Sequence, residues 1–122
     1  IYMTDIIVLS MIVLSIDYVY LSLVGGPPFL RMVAKIQHEK PKVNMISAAV
    51  AYILIIVALY KFVINSTSYV DSFLLGFVIY GIFDFTNMAL FKKYNIIIAL
   101  QDTIWGGVLF MTTHYIYKKI RE

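Results

Sequence analysis

Polar residues are scarce and unevenly spaced in this 122-residue chain, and they divide it into four long apolar stretches. The stretches cover about residues 3–24, 45–62, 71–90 and 96–117. Each is close to the roughly 20 residues that cross a ~30 Å hydrocarbon core. In lipid only helices or closed barrels satisfy their own backbone hydrogen bonds. These stretches are apolar on every face, whereas barrel strands alternate. The pattern therefore predicts an all-α protein, a four-helix transmembrane bundle forming a single integral membrane domain over residues 1–122. The first stretch carries Asp17 internally and ends in Gly25-Gly26-Pro27-Pro28, so it reads as a span rather than a cleavable leader.

The connections differ in kind. Gly25-Gly26-Pro27-Pro28 reads as a turn. After it, Phe29, Met32, Val33 and Ile36 share one helical face while Arg31 and Lys35 lie on the other. With Pro28 in its first turn, this segment is expected to be a short interfacial amphipathic helix following helix one. The second connection contains Asn65-Ser66-Thr67, a formal glycosylation sequon read as a chance match too close to the bilayer to be modified. The third, residues 91–95, is short enough to make helices three and four an antiparallel hairpin. Tyr60, Tyr69, Tyr94, Tyr115 and Tyr117 fall near helix ends, as an aromatic belt requires. Small residues suggest packing lanes: Ser47, Ala51 and Ala58, then Ser72 and Gly76, then Ala99, Thr103, Gly106 and Gly107.

Composition supports lipid as the solvent. Hydrophobic residues make up 61% and charged residues 14%, too little charge to cover a small water-soluble domain. Mean hydropathy is +0.86. The net charge of +3 suits loops facing anionic headgroups, and no nucleic-acid partner is expected. The absence of cysteine excludes disulfides and thiolate metal sites. Loops one and three carry Arg31, Lys35, Lys40, Lys42, Lys92 and Lys93, against Lys61, Lys118, Lys119 and Arg121 opposite, which leans loops one and three toward the cytoplasm. Isoleucine far outnumbers alanine, and lysine outnumbers arginine, as an AT-rich genome would favour.

Carboxylates inside a bilayer are costly, by ~2.5–3.5 kcal/mol each on insertion scales, and so need a reason. At 1.5 Å per residue, Asp17, Asp84 and Asp102 each lie roughly 9–10 Å below the surface carrying loops one and three. Three aspartates from three helices should therefore meet at one depth. They should not all ionise together unless cations pair with them. The candidate cations are Arg31, Lys35, Lys92 and Lys93, membrane-interface residues with long stems. Asp84 has Asn87 one turn on, and Asp102 has Trp105 and Gly106. Two readings stay open. The cluster is a pocket for a proton, cation or cationic ligand, or it ties helices together through Tyr18, Tyr80, Thr86, Asn87 and Thr103.

His38 and His114 fall toward opposite ends of the bundle and cannot share a metal, so no metal site is expected. No phosphate-binding glycine loop, GxSxG or HExxH motif occurs, so neither a cofactor nor an enzymatic activity is expected.

The run Tyr80-Gly81-Ile82-Phe83-Asp84-Phe85-Thr86-Asn87-Met88-Ala89, followed by Asp102-Thr103-Ile104-Trp105-Gly106, resembles the signature of an uncharacterised family of small membrane proteins, domain of unknown function 2177. Asp17, Leu21 and Phe29 are similar to that family's early motif. Phe83 stands where Tyr is usual, Tyr20 where Trp is usual, and Ser22 where Gly follows the Leu. The resemblance implies a four-helix membrane fold centred on Asp17, Asp84, Asn87, Asp102 and Trp105, and implies no activity. Relatives in large DNA viruses make a viral internal membrane one expected home. The leading expectation is a non-enzymatic structural subunit of a larger viral or organellar membrane complex, with protein partners besides the lipid bilayer. The alternative is a proton- or cation-linked transporter or small-ligand-binding protein that uses the aspartates.

Overall fold

The structure, a computed structural model, describes residues 2–121 and contains no strand among them. Its helices are α1 (Tyr2–Tyr20), α2 (Gly26–Gln37), α3 (Met45–Ala58), α4 (Tyr69–Leu90) and α5 (Ile96–Arg121). Two π-helical turns, Leu21–Gly25 and Leu59–Val63, join α1 to α2 and extend α3. Among the described residues four continuous helices are long and apolar enough to cross a bilayer: Met3–Gln37, Met45–Val63, Tyr69–Leu90 and Ile96–Arg121. This is an all-α, four-span membrane fold.

Short polar side chains start the helices where the apolar stretches begin. Asn44 accepts from the Ser47 N–H at 3.1 Å, and Ser68 from the Asp71 N–H at 3.1 Å. Asn95 accepts from the Ile97 and Ile98 N–H groups at 2.7 and 3.3 Å. Each satisfies donors that a helix N-terminus leaves orphaned.

The expected stop after residue 24 is wrong. Gly25-Gly26-Pro27-Pro28 is helical, and the first helix runs on to Gln37. Pro27 and Pro28 have no N–H to give to the turn before them. The chain widens into a π-turn closed from the Gly26 N–H to the Leu21 carbonyl, and a widened turn accommodates this without ending the helix. A Cβ on Gly26 would run into that carbonyl oxygen, so glycine is required there. At 1.5 Å per residue the joined helix is about 50 Å long, more than a ~30 Å hydrocarbon core needs.

Packing is tightest between α4 and α5. A Cβ on Gly76 would strike the Gly106 carbonyl oxygen, and one on Gly107 would lie 2.7 Å from the Phe73 ring. Bare glycines thus bring the two backbones together, as the small-residue lanes on these helices predict. The main core lies toward loop two (residues 64–68), where Leu9 and Val13 of α1 meet Leu59, Val63, Leu109 and Phe110. A second cluster caps the other end. There Met32 of α2 packs with Tyr94 of loop three (residues 91–95) and Ala99 of α5, and the Asn95 N–H donates to the Met32 sulfur at 3.1 Å.

Of the lane expected on helix two, Ala58 packs against the core, and Ser47 and Ala51 do not. The helix is held by its second half, from Tyr52 through Ile55, Ile56 and Ala58 into the π-turn, and Met45–Ala58 contains no fully buried residue. The loop-one half of α3 consequently stands away from the bundle.

Candidate functional site

Between the two apolar clusters lies a polar layer. Asp17, one turn before the first π-turn, is buried, with 4% of its surface exposed. Trp105 of α5 donates its indole N–H to Asp17 Oδ1 at 2.9 Å, and Tyr52 of α3 donates its hydroxyl to Oδ2. Tyr20 stacks on Trp105 with ring centroids 4.0 Å apart and planes 4° from parallel, which holds the indole in place. Both oxygens of Asp17 therefore have a donor, and that carboxylate bridges three helices.

Asp84 of α4 is wholly buried. Its Oδ1 accepts from the Tyr94 hydroxyl at 2.7 Å, while Oδ2 is buried with no hydrogen-bond partner. Burial first, and then this carboxylate, holds the Tyr94 hydroxyl above the ordinary phenol range, and Asn87 also reaches that hydroxyl. Asp102 of α5 lies beside Asp84, with Asp17 within electrostatic range. The depth count thus finds its counterpart in space: three aspartates of three helices occupy one layer.

The cations expected to pair with them do not. Arg31, Lys35, Lys92 and Lys93 are all exposed, and none forms an ion pair with these aspartates. The described ion pair, Arg121 to Asp5 at 2.9 Å, joins the opposite ends of α5 and α1. Reaching the layer would draw a cation through roughly 10 Å of apolar helix, at more cost than staying hydrated at the surface. Much of the expected tying network is also absent. Tyr18 and Thr86 are exposed, and Thr103 spends its hydroxyl on the Ala99 carbonyl at 2.7 Å within its own helix. Tyr94 is not a belt residue. With Tyr117 it points inward, because its hydroxyl finds a carboxylate there.

Tyr52 and Tyr94 are the partners that sequence reasoning missed. Tyr52 lies about as many residues into α3 as Asp17 lies from the end of the first apolar stretch, so the same depth count could have found it. Tyr94 gave no such signal, since its inward turn depends on how loop three folds under α2. His38 ends α2 with the left-handed φ of 61°, and His114 is buried near loop two with its Nδ1 2.7 Å from the Ser72 hydroxyl. Among the described residues no three His, Asp or Glu side chains are grouped to hold a metal ion.

The polar layer opens on a crevice of about 700 Å³ between the loop-one half of α3 and the rest of the bundle. Ala48, Ala51 and Ile55 form one wall, and Leu21, Ile79 and Phe83 the other. Asp17, Tyr52, Tyr80 and Asp102 lie at its polar end. No lysine or arginine lines it.

A family model described as Predicted membrane protein (DUF2177) matches residues 2–117, nearly the whole chain. The chain belongs to this family. Asp17, Asp84, Asn87, Asp102 and Trp105 all lie within the matched span. No curated protein and no solved structure matches the chain. Family membership and four apolar helices together make this an integral membrane protein.

Proposed function

We propose that this family member is a non-enzymatic membrane protein that binds a small apolar ligand in the crevice, with protons or a cation supplying the positive charge the chain withholds from its aspartates. One observation carries the reading: a cluster of three carboxyl groups, two of which, Asp17 and Asp102, line the end of an apolar crevice, with no cationic side chain among the described residues paired to them. A layer built only to tie helices together would be expected to satisfy its own acceptors from fixed donors, yet Asp84 Oδ2 has beside it only another carboxyl, that of Asp102. Side chains from every packed element face the layer: Asp17 and Tyr20, Tyr52, Tyr80 and Asp84, Tyr94, and Asp102.

We place α2 in the headgroup layer, its Phe29, Met32 and Ile36 face on loop three and α5 and its Arg31 and Lys35 face outward, with Lys92 and Lys93 at the same interface.

The test uses the single tryptophan, Trp105, as donor to a neutral dansyl-labelled alkane, with the full chain in phosphatidylcholine nanodiscs. Saturable energy transfer is expected, and Ala51→Phe, which fills the crevice from an exposed wall position, should abolish it. Asp84→Asn should change binding and its pH dependence at normal expression. Transfer untouched by Ala51→Phe would overturn the ligand reading, and an Asp84→Asn that only lowers abundance would make the cluster structural.

A second reading, a subunit within a larger membrane assembly, draws on the uncovered α3, which has no buried residue in Met45–Ala58. Under that reading, cross-linking in the native membrane should trap a protein partner on α3. A chain that stays solitary would count against it.

A further inference from the structure

The crevice also indicates the chemistry of its occupant, an inference that rests on the ligand reading above. Its volume of about 700 Å³ falls inside the ~300–1,000 Å³ typical of small-molecule sites. Nearly all of its wall is aliphatic or aromatic carbon, which suits an alkyl chain.

The polar end is more discriminating. Asp17 already receives donors on both oxygens, from Trp105 and Tyr52. Asp84 receives one, from Tyr94, lies behind the crevice lining, and has the Asp102 carboxyl beside its other oxygen. Asp102 itself lines the crevice and receives no tyrosine or tryptophan donor among the described residues. What the site lacks is donors and positive charge. A phosphate or carboxylate headgroup would bring more acceptors and negative charge against these aspartates, with no arginine or lysine in the lining to receive it. A hydroxyl brings one donor and no charge, whereas an ammonium brings three donors and the missing charge.

The position of the layer limits the size of the head. The aspartates lie roughly 10 Å below the loop-one surface, so a headgroup reaching them must be compact and carried on the chain itself. Access is from the side, because the loop-one half of α3 is not packed against the bundle.

We infer that the crevice binds a single-chain amphiphile with a primary ammonium head, the ammonium lying against Asp102, which lines the crevice, and the alkyl chain between α3 and the wall formed by Leu21, Ile79 and Phe83. The same ammonium chemistry occurs in a free long-chain amine and in the headgroup of an aminophospholipid. The depth of the layer favours the free amine.

The experiment titrates dodecylamine, dodecanol and dodecanoate into the full chain in phosphatidylcholine nanodiscs, read by Trp105 emission and thermal shift. Dodecylamine should bind at least about tenfold more tightly than either analogue. Asp102→Asn should cut that preference by about tenfold, since an amide keeps the shape but cannot become the carboxylate that pairs with an ammonium. Ala51→Phe should block all three ligands. Repeating the titration with phosphatidylethanolamine in the discs separates the sources. Unchanged dodecylamine affinity supports the free amine, and competition shows that a bilayer lipid supplies the ammonium and overturns the free-amine assignment.

Equal binding of the three ligands, blocked by Ala51→Phe, would overturn the ammonium inference and leave the crevice as a ligand site. Preference for dodecanoate or dodecanol would overturn it as well. No Ala51-dependent binding of any ligand would overturn both.

Discussion

At the scale of single residues, the site is an imbalance of donors and acceptors. Trp105 gives Asp17 Oδ1 its donor, so Trp105→Phe should leave a buried acceptor unmet and cost about 1–3 kcal/mol. Thermal unfolding in detergent should register this as a clear drop in Tm. Tyr94 adds a pH dependence with a definite sign. Its hydroxyl is held above the ordinary phenol value, so the unfolded chain loses that proton first as pH rises through about 10. The stability it contributes is then complete below about pH 10 and is lost above it. Tyr94→Phe should therefore destabilise the protein at pH 8, and the gap between variant and parent melting temperatures should narrow toward pH 11.

At the scale of elements, two local departures from regular helix packing position the layer. The α4–α5 hairpin relies on bare backbone at Gly76, where a Cβ would meet the Gly106 carbonyl oxygen. Gly76→Ala must push two helices apart and should cost about 1–3 kcal/mol or more. Gly81→Ala makes a useful contrast: its Cβ would meet the Thr103 side chain, the methyl at 3.2 Å and Oγ1 at 3.8 Å, rather than backbone at 2.1 Å, so its effect on Tm should be smaller. The π-turn at Leu21–Gly25 sets how α2 lies over loop three. The chain has no cysteine of its own, so a Met32→Cys, Asn95→Cys pair can report on that docking. The pair should cross-link readily in the parent chain, and Gly26→Ala should slow the reaction by forcing the turn to rewind.

At the scale of the whole molecule, the bundle is unevenly packed. The hairpin and α1 share a buried core toward loop two, while α3 is anchored there by its last turns and the π-turn that extends it, through Ile55, Ile56, Ala58, Leu59 and Val63, and stands open at its other half. Local opening follows buried contact, so amides of Met45–Ala58 should exchange faster than those of α5, the helix with the most buried positions. Hydrogen–deuterium exchange in nanodiscs would show this. Equal protection of the two helices would mean that α3 is covered, by lipid or by a partner, more firmly than its own contacts provide.

Much of this architecture is legible in the sequence because bilayer thickness and helical rise are fixed quantities. Apolar run lengths yield the four spans, and counting from their ends puts Asp17, Asp84 and Asp102 at one depth. The amphipathic face of Phe29, Met32, Val33 and Ile36 is likewise a local pattern, but that Met32, with Phe29 and Ile36, packs against Tyr94 and Ala99 is a contact between elements. Depth, however, says nothing of rotation, tilt or continuity. That the helix runs through Gly25-Gly26-Pro27-Pro28 depends on a π-turn, whose hydrogen bonds reach beyond the period that sequence patterns report. That Tyr52 and Tyr94 take up the carboxylates, while Arg31, Lys35, Lys92 and Lys93 remain in water, depends on which side chains the packed helices bring within about 3 Å. The crevice exists because glycines draw α4 and α5 together while nothing draws in the loop-one half of α3. The sequence by itself determined the aspartates and their depth. Only the tertiary structure decided that they would have an apolar crevice beside them and no cation of their own, because both follow from contacts between helices rather than from any one helix.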